Sequence, residues 1–217
     1  MKRIANILTR GMLVLVLGTM AAIARAETEL CEPFADGTVD ASIVARMLAL
    51  AEDGHLYRIQ PASSQVGFCV DSPVGRIEGH FKGFRGGLTL VPTAPNNQQA
   101  IVMLDTQSLE TDTPFIEAML KGEQFFDVGH YPKMLFVSKR FRWVNDAEAV
   151  LIGDLTLRGV TREVGFHVEL IGTGAVDASQ SEERILVKAT TLISRAQFGL
   201  DAWSSTVNDD VSLCMSV

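Results

Sequence analysis

From Leu56 to the C-terminus apolar residues recur at every second position. Val164, Phe166, Val168 and Leu170 alternate with Gly165, His167 and Glu169, and Ile77, Gly79 and Phe81 alternate with Arg76, Glu78, His80 and Lys82. Ile185, Val187 and Ala189 repeat the pattern more loosely against Leu186 and Lys188. Successive strand residues point to opposite sheet faces, so this period predicts strands with one dry face and one wet face. Strands are predicted at 56–59, 65–71, 75–84, 86–91, 99–108, 134–144, 149–157, 163–172, 183–193 and 210–217. Turn residues such as Ser72-Pro73, Pro92, Pro95 to Asn97 and Asn145-Asp146 separate several of them. Little helical pattern intervenes, which favours an antiparallel barrel or sandwich over an α/β sheet. Periodicity fits both an apolar barrel interior and a closed sandwich core.

Two segments break the period of two. Ile43, Val44, Met47, Leu48 and Ala51 recur at helical spacing, with Asp40 placed to cap the start and Gly54 the end, so a helix is predicted over 40–53. Its expected role is to pack across one end or flank of the domain. Thr113-Pro114 opens a shorter helix, Phe115, Met119 and Leu120 share one face of it, and Gly122 ends it. Phe125-Phe126 then places two aromatic rings at the surface or entrance of the domain.

The first 26 residues follow a different grammar. Lys2, Arg3 and Arg10 flank an apolar run from Met12 to Ala24, which ends in Ala24-Arg25-Ala26. This predicts a secretory leader cut after Ala26 and a mature chain that is soluble outside the cytoplasm. The run is shorter than the ~20 residues a membrane span needs. Removing Lys2, Arg3, Arg10 and Arg25 shifts the formal net charge from −7 to −11. So acidic a chain repels nucleic acid and anionic membrane surfaces. The expected organisation is a leader at 1–26, an extension with its helix at 27–55, and one all-β domain at 56–217. In an oxidising compartment a suitably placed cysteine pair bridges. Strand parity puts Cys69 and Cys214 away from the apolar faces, where a 69–214 bridge is possible if the first and last strands are neighbours. A bridge from Cys31 to either one is the alternative.

Candidate chemistry is sparse. His55, His80, His130 and His167 are scattered without metal-ligand spacing, and no Gly-x-Ser-x-Gly, phosphate loop or CxxC occurs. Asp105, Glu110, Asp112 and Asp127 cluster in sequence, but capping and turn roles explain such carboxylates better than acid–base catalysis. Neither a metal nor a catalytic residue is expected. Aromatic and aliphatic residues are the better candidates: Phe68, Phe81, Phe84, Phe126, Phe136, Phe141, Trp143 and Phe166 can line an apolar channel. Leu104, Leu155 and Val168 extend the same set, and Met119, Leu120 and Met134 can adapt to an irregular ligand.

Several ordered segments carry more specific information. They are Tyr57-Arg58-Ile59, Gly79 to Gly86 (GHFKGFRG), Ser108-Leu109-Glu110-Thr111, Phe125-Phe126-Asp127 with Tyr131-Pro132 and Phe136-Val137-Ser138, and Gly153 to Arg162 (GDLTLRGVTR). In that order they resemble the YceI-like family across about 56–217. The resemblance implies an eight-stranded antiparallel lipocalin-like barrel, for which some of the ten predicted strands must merge or lie at edges. It also implies a lumen holding a polyisoprenoid or isoprenoid quinone as ligand, with no required cofactor and no catalysis. The extension with Cys31 and the 40–53 helix lies outside the resemblance and can cover an opening. Two other readings remain, an enzyme acting on a small apolar substrate in the same pocket and an envelope adaptor.

Overall fold

The computed structural model describes residues 41–52, 55–73, 75–91, 98–177 and 180–217. The leader, Cys31, Asp40 and Gly54 lie outside these residues. Helix α1 (Ala41–Glu52) precedes strands β1 (Leu56–Arg58), β2 (Gln65–Ser72), β3 (Gly75–Phe81), β4 (Phe84–Thr89), β5 (Ala100–Asp105) and β6 (Leu109–Thr111). Helix α2 (Pro114–Lys121) follows, then β7 (Lys133–Trp143), β8 (Glu148–Leu157), β9 (Val160–Asp177), β10 (Gln180–Ser194) and β11 (Asp210–Ser216). All eleven strands join one antiparallel sheet in the order β1-β4-β5-β7-β8-β9-β10-β11-β2-β3-β6.

The strand count is therefore eleven rather than the expected eight. The excess has a local cause, because three strands are each interrupted by a bend. β1 pairs with β4 while β2, its continuation past a 3₁₀ turn at Pro61–Ser63, pairs with β3. β3 and β4 are separated only by Lys82-Gly83, and β5 and β6 only by a 3₁₀ turn at Thr106–Ser108. Hydrogen bonds cross that double bend, from Lys82 N–H to Ser108 O at 3.1 Å and from Asp105 N–H to Gly83 O at 2.8 Å. Asp105 caps the second turn, its carboxylate accepting the Gln107 N–H at 2.9 Å. Pairing of β11 with β2 carries the hydrogen bonding from the last strand back to the first part of the sheet.

Alternation survives the curling. The β8 burial pattern is strictly alternate, with Ala149, Leu151, Leu155 and Leu157 buried on the inner face. β7 needs a correction to stay in phase. Its register against β8 shifts between Ser138 and Arg140. Without that bulge, strict alternation from Phe136 would turn Arg140 and Arg142 inward; with it, Phe141 is buried instead. Inward Ser138, 3% exposed, accepts the Ala100 N–H at 2.7 Å.

The short loops follow from their residues. Arg158 and Gly159, with φ of 51° and 73°, form the two-residue β8–β9 hairpin, where positive φ at both positions matches the strand twist. In α2, Pro114 occupies the first turn and Gly122 ends the helix as predicted. Leu120 is buried, whereas Phe115 is 73% exposed and so does not join the packed face assigned to it. Phe125 and Phe126 are both buried rather than at the surface. Phe126 closes an aromatic trio with Phe68 at 5.6 Å and Phe81 at 5.8 Å between ring centroids.

Cys69 and Cys214 are free thiols rather than a disulfide. They do lie on neighbouring strands, but the register sets Cys69 opposite Ser212 and Cys214 opposite Gly67. Such diagonal positions are roughly 7–8 Å apart, beyond the Cα spacing of about 4.4–6.8 Å that a disulfide usually spans. The two-residue offset, invisible to strand parity, leaves the pair unbridged.

Candidate functional site: an apolar cavity inside the sheet

The inner faces of the strands surround a cavity of about 670 Å³. Its wall takes Val66, Phe68 and Val70 from β2, Val102 and Leu104 from β5, and Met134, Phe136 and Phe141 from β7. β8 contributes Leu151, Leu155 and Leu157, β9 Phe166 and Val168, and β10 Val187, Ala189 and Ile193. Met119 and Leu120 of α2 and the loop residues Leu200, Trp203 and Val207 border it where β2, β5, β8 and β10 end. Phe115 and Trp203, 73% and 51% exposed, stand on this rim.

Eleven of the thirteen residues expected in the lumen border the cavity: Phe68, Phe81, Leu104, Met119, Leu120, Phe126, Met134, Phe136, Leu155, Phe166 and Val168. Phe84 and Trp143 do not. Phe84 is buried in the core, and Trp143 packs against Phe141 with centroids 5.2 Å apart. The strand residues that sequence reasoning left out, among them Leu151, Val187, Ile193 and Leu213, share parity with residues it named, so extending the period of two would have found them. Leu200, Trp203, Thr206 and Val207 lie on an aperiodic loop and gave no such signal.

Two glycines give the rings room. A Cβ on Gly153 would sit 2.7 Å from Phe136 Cζ, and one on Gly79 would be 3.0 Å from Leu109 Cδ1 and closer still to the Phe68 ring. Phe136 in turn meets Phe166 edge-on at 5.1 Å.

Charge is kept outside. Lys139 bridges Asp154 at 2.6 Å and Glu163 at 3.6 Å on the outer face, and its ammonium is held above the ordinary lysine range chiefly by the Asp154 hydrogen bond. His80 and His167 are exposed, as their strand parity predicts. Cys214 is exposed and also borders the cavity, with its thiol pushed up, first by burial and then by the neighbouring Cys69. Among the described lining residues only Arg195 is charged, and no described cluster of three His, Cys, Asp or Glu residues is placed to hold a metal. The arrangement can withdraw apolar matter from water, and no carboxylate stands among the described lining residues.

A family model described as a YceI-like domain matches residues 57–217. A UPF0312 protein of Pseudomonas putida (strain W619) is 33% identical over 140 residues, which cover 63% of this chain and 72% of that protein. Protein YceI of Escherichia coli O157:H7 is 30% identical over 141 residues, covering 65% of this chain and 72% of the relative. Among solved structures, BcnA of Burkholderia cenocepacia superposes with a TM-score of 0.66 at 22% identity, covering 73% of this chain and 97% of its own. A polyisoprenoid binding domain from Saccharophagus degradans gives a TM-score of 0.53 at 16% identity, covering 75% and 95%. At these identities the two structures share the fold with this chain.

Proposed function

The chain belongs to the YceI-like family, and from that premise we propose that it binds a polyisoprenoid lipid, such as an isoprenoid quinone, inside the sheet without chemical change. It stores or carries that lipid in the periplasm, which it reaches through the leader cut after Ala26. The observation that carries this reading is the cavity of about 670 Å³ with its almost wholly hydrocarbon wall. The Saccharophagus degradans neighbour, described as polyisoprenoid binding, supports the same ligand class. Physically, each ligand CH₂ withdrawn from water contributes on the order of 0.8 kcal/mol, so a long tail is held by area and shape alone. A water-insoluble molecule thereby crosses an aqueous space.

Native mass spectrometry of the protein purified gently from its compartment, followed by extraction, tests the proposal. A stoichiometric isoprenoid is the expected result. A ligand-free protein that also fails to take up added polyprenyl quinones would overturn the carrier reading.

A further inference from the structure

Arg195 is 5% exposed and borders the cavity, the one charged residue among the described lining. A guanidinium has five N–H donors and is always charged. Here Nε donates to Asn208 O at 2.9 Å, Nη2 to Val207 O at 3.0 Å, and Nη1 to Ala202 O at 2.8 Å and to Leu200 O. All four acceptors belong to the loop between the last 3₁₀ turn and β11. The neighbouring carboxylate, Asp209, makes its hydrogen bonds elsewhere, although the Arg195 charge also acts on it. It is held below the usual carboxylate range first by the Ser194 hydroxyl and then by the Ala196 N–H, the latter at 2.9 Å.

The second N–H of Nη2 has no acceptor among the described residues. Nη2 itself is bonded to Val207 O, so one N–H of an otherwise paired guanidinium is left over beside a wall that is mostly hydrocarbon. Other polar groups on the wall do not compete for the same task. Ser72 donates its hydroxyl proton to Gly75 O at 2.7 Å, Thr206 donates to Trp203 O at 3.1 Å, Cys214 donates to Gly67 O at 3.6 Å, and Thr113 and the Trp203 indole are exposed.

We propose that this free N–H of Arg195 is a head-group site, accepting one neutral oxygen, a ring carbonyl or a hydroxyl, of a ligand whose apolar chain fills the cavity. The inference rests on the lipid-carrier reading and narrows its ligand class. A phosphate or diphosphate head group brings several anionic oxygens and is recognised by several donors together. One remaining N–H cannot satisfy it, whereas a quinone carbonyl needs no more than one.

Because Arg195 also ties down its loop, the test varies the ligand and keeps the protein intact. Tetraprenyl benzoquinone, the tetraprenyl benzene that lacks both carbonyl oxygens, and tetraprenyl diphosphate compete for the purified protein, while the Arg195 side-chain N–H signals are followed by NMR. The expected order is quinone roughly tenfold tighter than hydrocarbon, as one charge-assisted hydrogen bond provides, with the diphosphate no tighter than the hydrocarbon. The Arg195 signals then move with the quinone alone. Equal affinity for quinone and hydrocarbon, or a quinone preference with unmoved Arg195 signals, overturns the head-group site and leaves the carrier reading standing. Tightest binding of the diphosphate overturns the single-donor argument. Failure of all three ligands to bind overturns the carrier reading and the site with it.

Discussion

At Gly153 the missing side chain matters more than the residue itself. A Cβ there would lie 2.7 Å from Phe136 Cζ and 2.8 Å from Ser138 Cα, so ring and neighbouring backbone must both shift. Gly153→Ala is expected to cost about 1–3 kcal/mol, the usual penalty of overpacking, read as a lower midpoint in chemical denaturation. A second residue-scale expectation concerns His130, whose Nδ1 lies 2.8 Å from Asp127 Oδ1. The Asp127 hydrogen bond, reinforced by its charge, favours the imidazolium and raises the His130 pKa above 6.5. A folded pKa above the unfolded one means the interaction's contribution is complete below pH ~6.5 and fades as pH rises through the folded value. An NMR titration of His130 should therefore have its midpoint above 6.5, and Asp127→Asn should bring it down. An unmoved midpoint in that variant would assign the shift to another cause.

Elements meet at the cavity rim through a turn residue. Arg158, in the β8–β9 hairpin, donates from Nη1 to Gly199 O and from Nη2 to Glu123 O, both at 2.7 Å. One side chain thus ties the segment after α2 to the loop before β11. Gly199 itself, with φ of 73°, ends the 3₁₀ turn that carries Arg195. Arg158→Ala should loosen both segments, lowering stability by about 1–2 kcal/mol. Limited proteolysis should then cut within 199–209 faster than in the parent chain. Equal cleavage rates would mean that the loop is held without Arg158.

For the whole molecule, fold and ligand capacity separate in a cavity-filling variant. Ala189 is buried and borders the chamber. Ala189→Phe places a ring where the proposed ligand runs. The expected outcome is a folded protein, within about 1–3 kcal/mol of the parent, that no longer retains an isoprenoid in native mass spectrometry. Undiminished retention would place the ligand outside the chamber. Closure of the hydrogen bonding from β11 to β2 makes this possible, since the chamber exists only when distant strands meet.

The period of two determined the all-antiparallel architecture and which face of each strand is dry, because side-chain direction along a strand is a local property. Local chemistry also placed α2 and Gly122 at its end, whereas the Arg158-Gly159 hairpin emerged only in the structure. Ordered motifs identified the family before any contact was known, since their spacing survives in the chain itself. Register was not legible. It fixes which residues stand opposite one another, and it left Cys69 and Cys214 diagonal and unbridged. The bends that divide three strands, and the bulge that turns Phe141 inward, arise from sheet curling and pairing between segments far apart in sequence. The enclosure of Arg195 likewise required the loop to fold back over it, bringing four carbonyls to one guanidinium. An alternating sequence selects the inner face, but the space between inner faces, and the one Arg195 N–H left without an acceptor among the described residues, exist only once the sheet has curled.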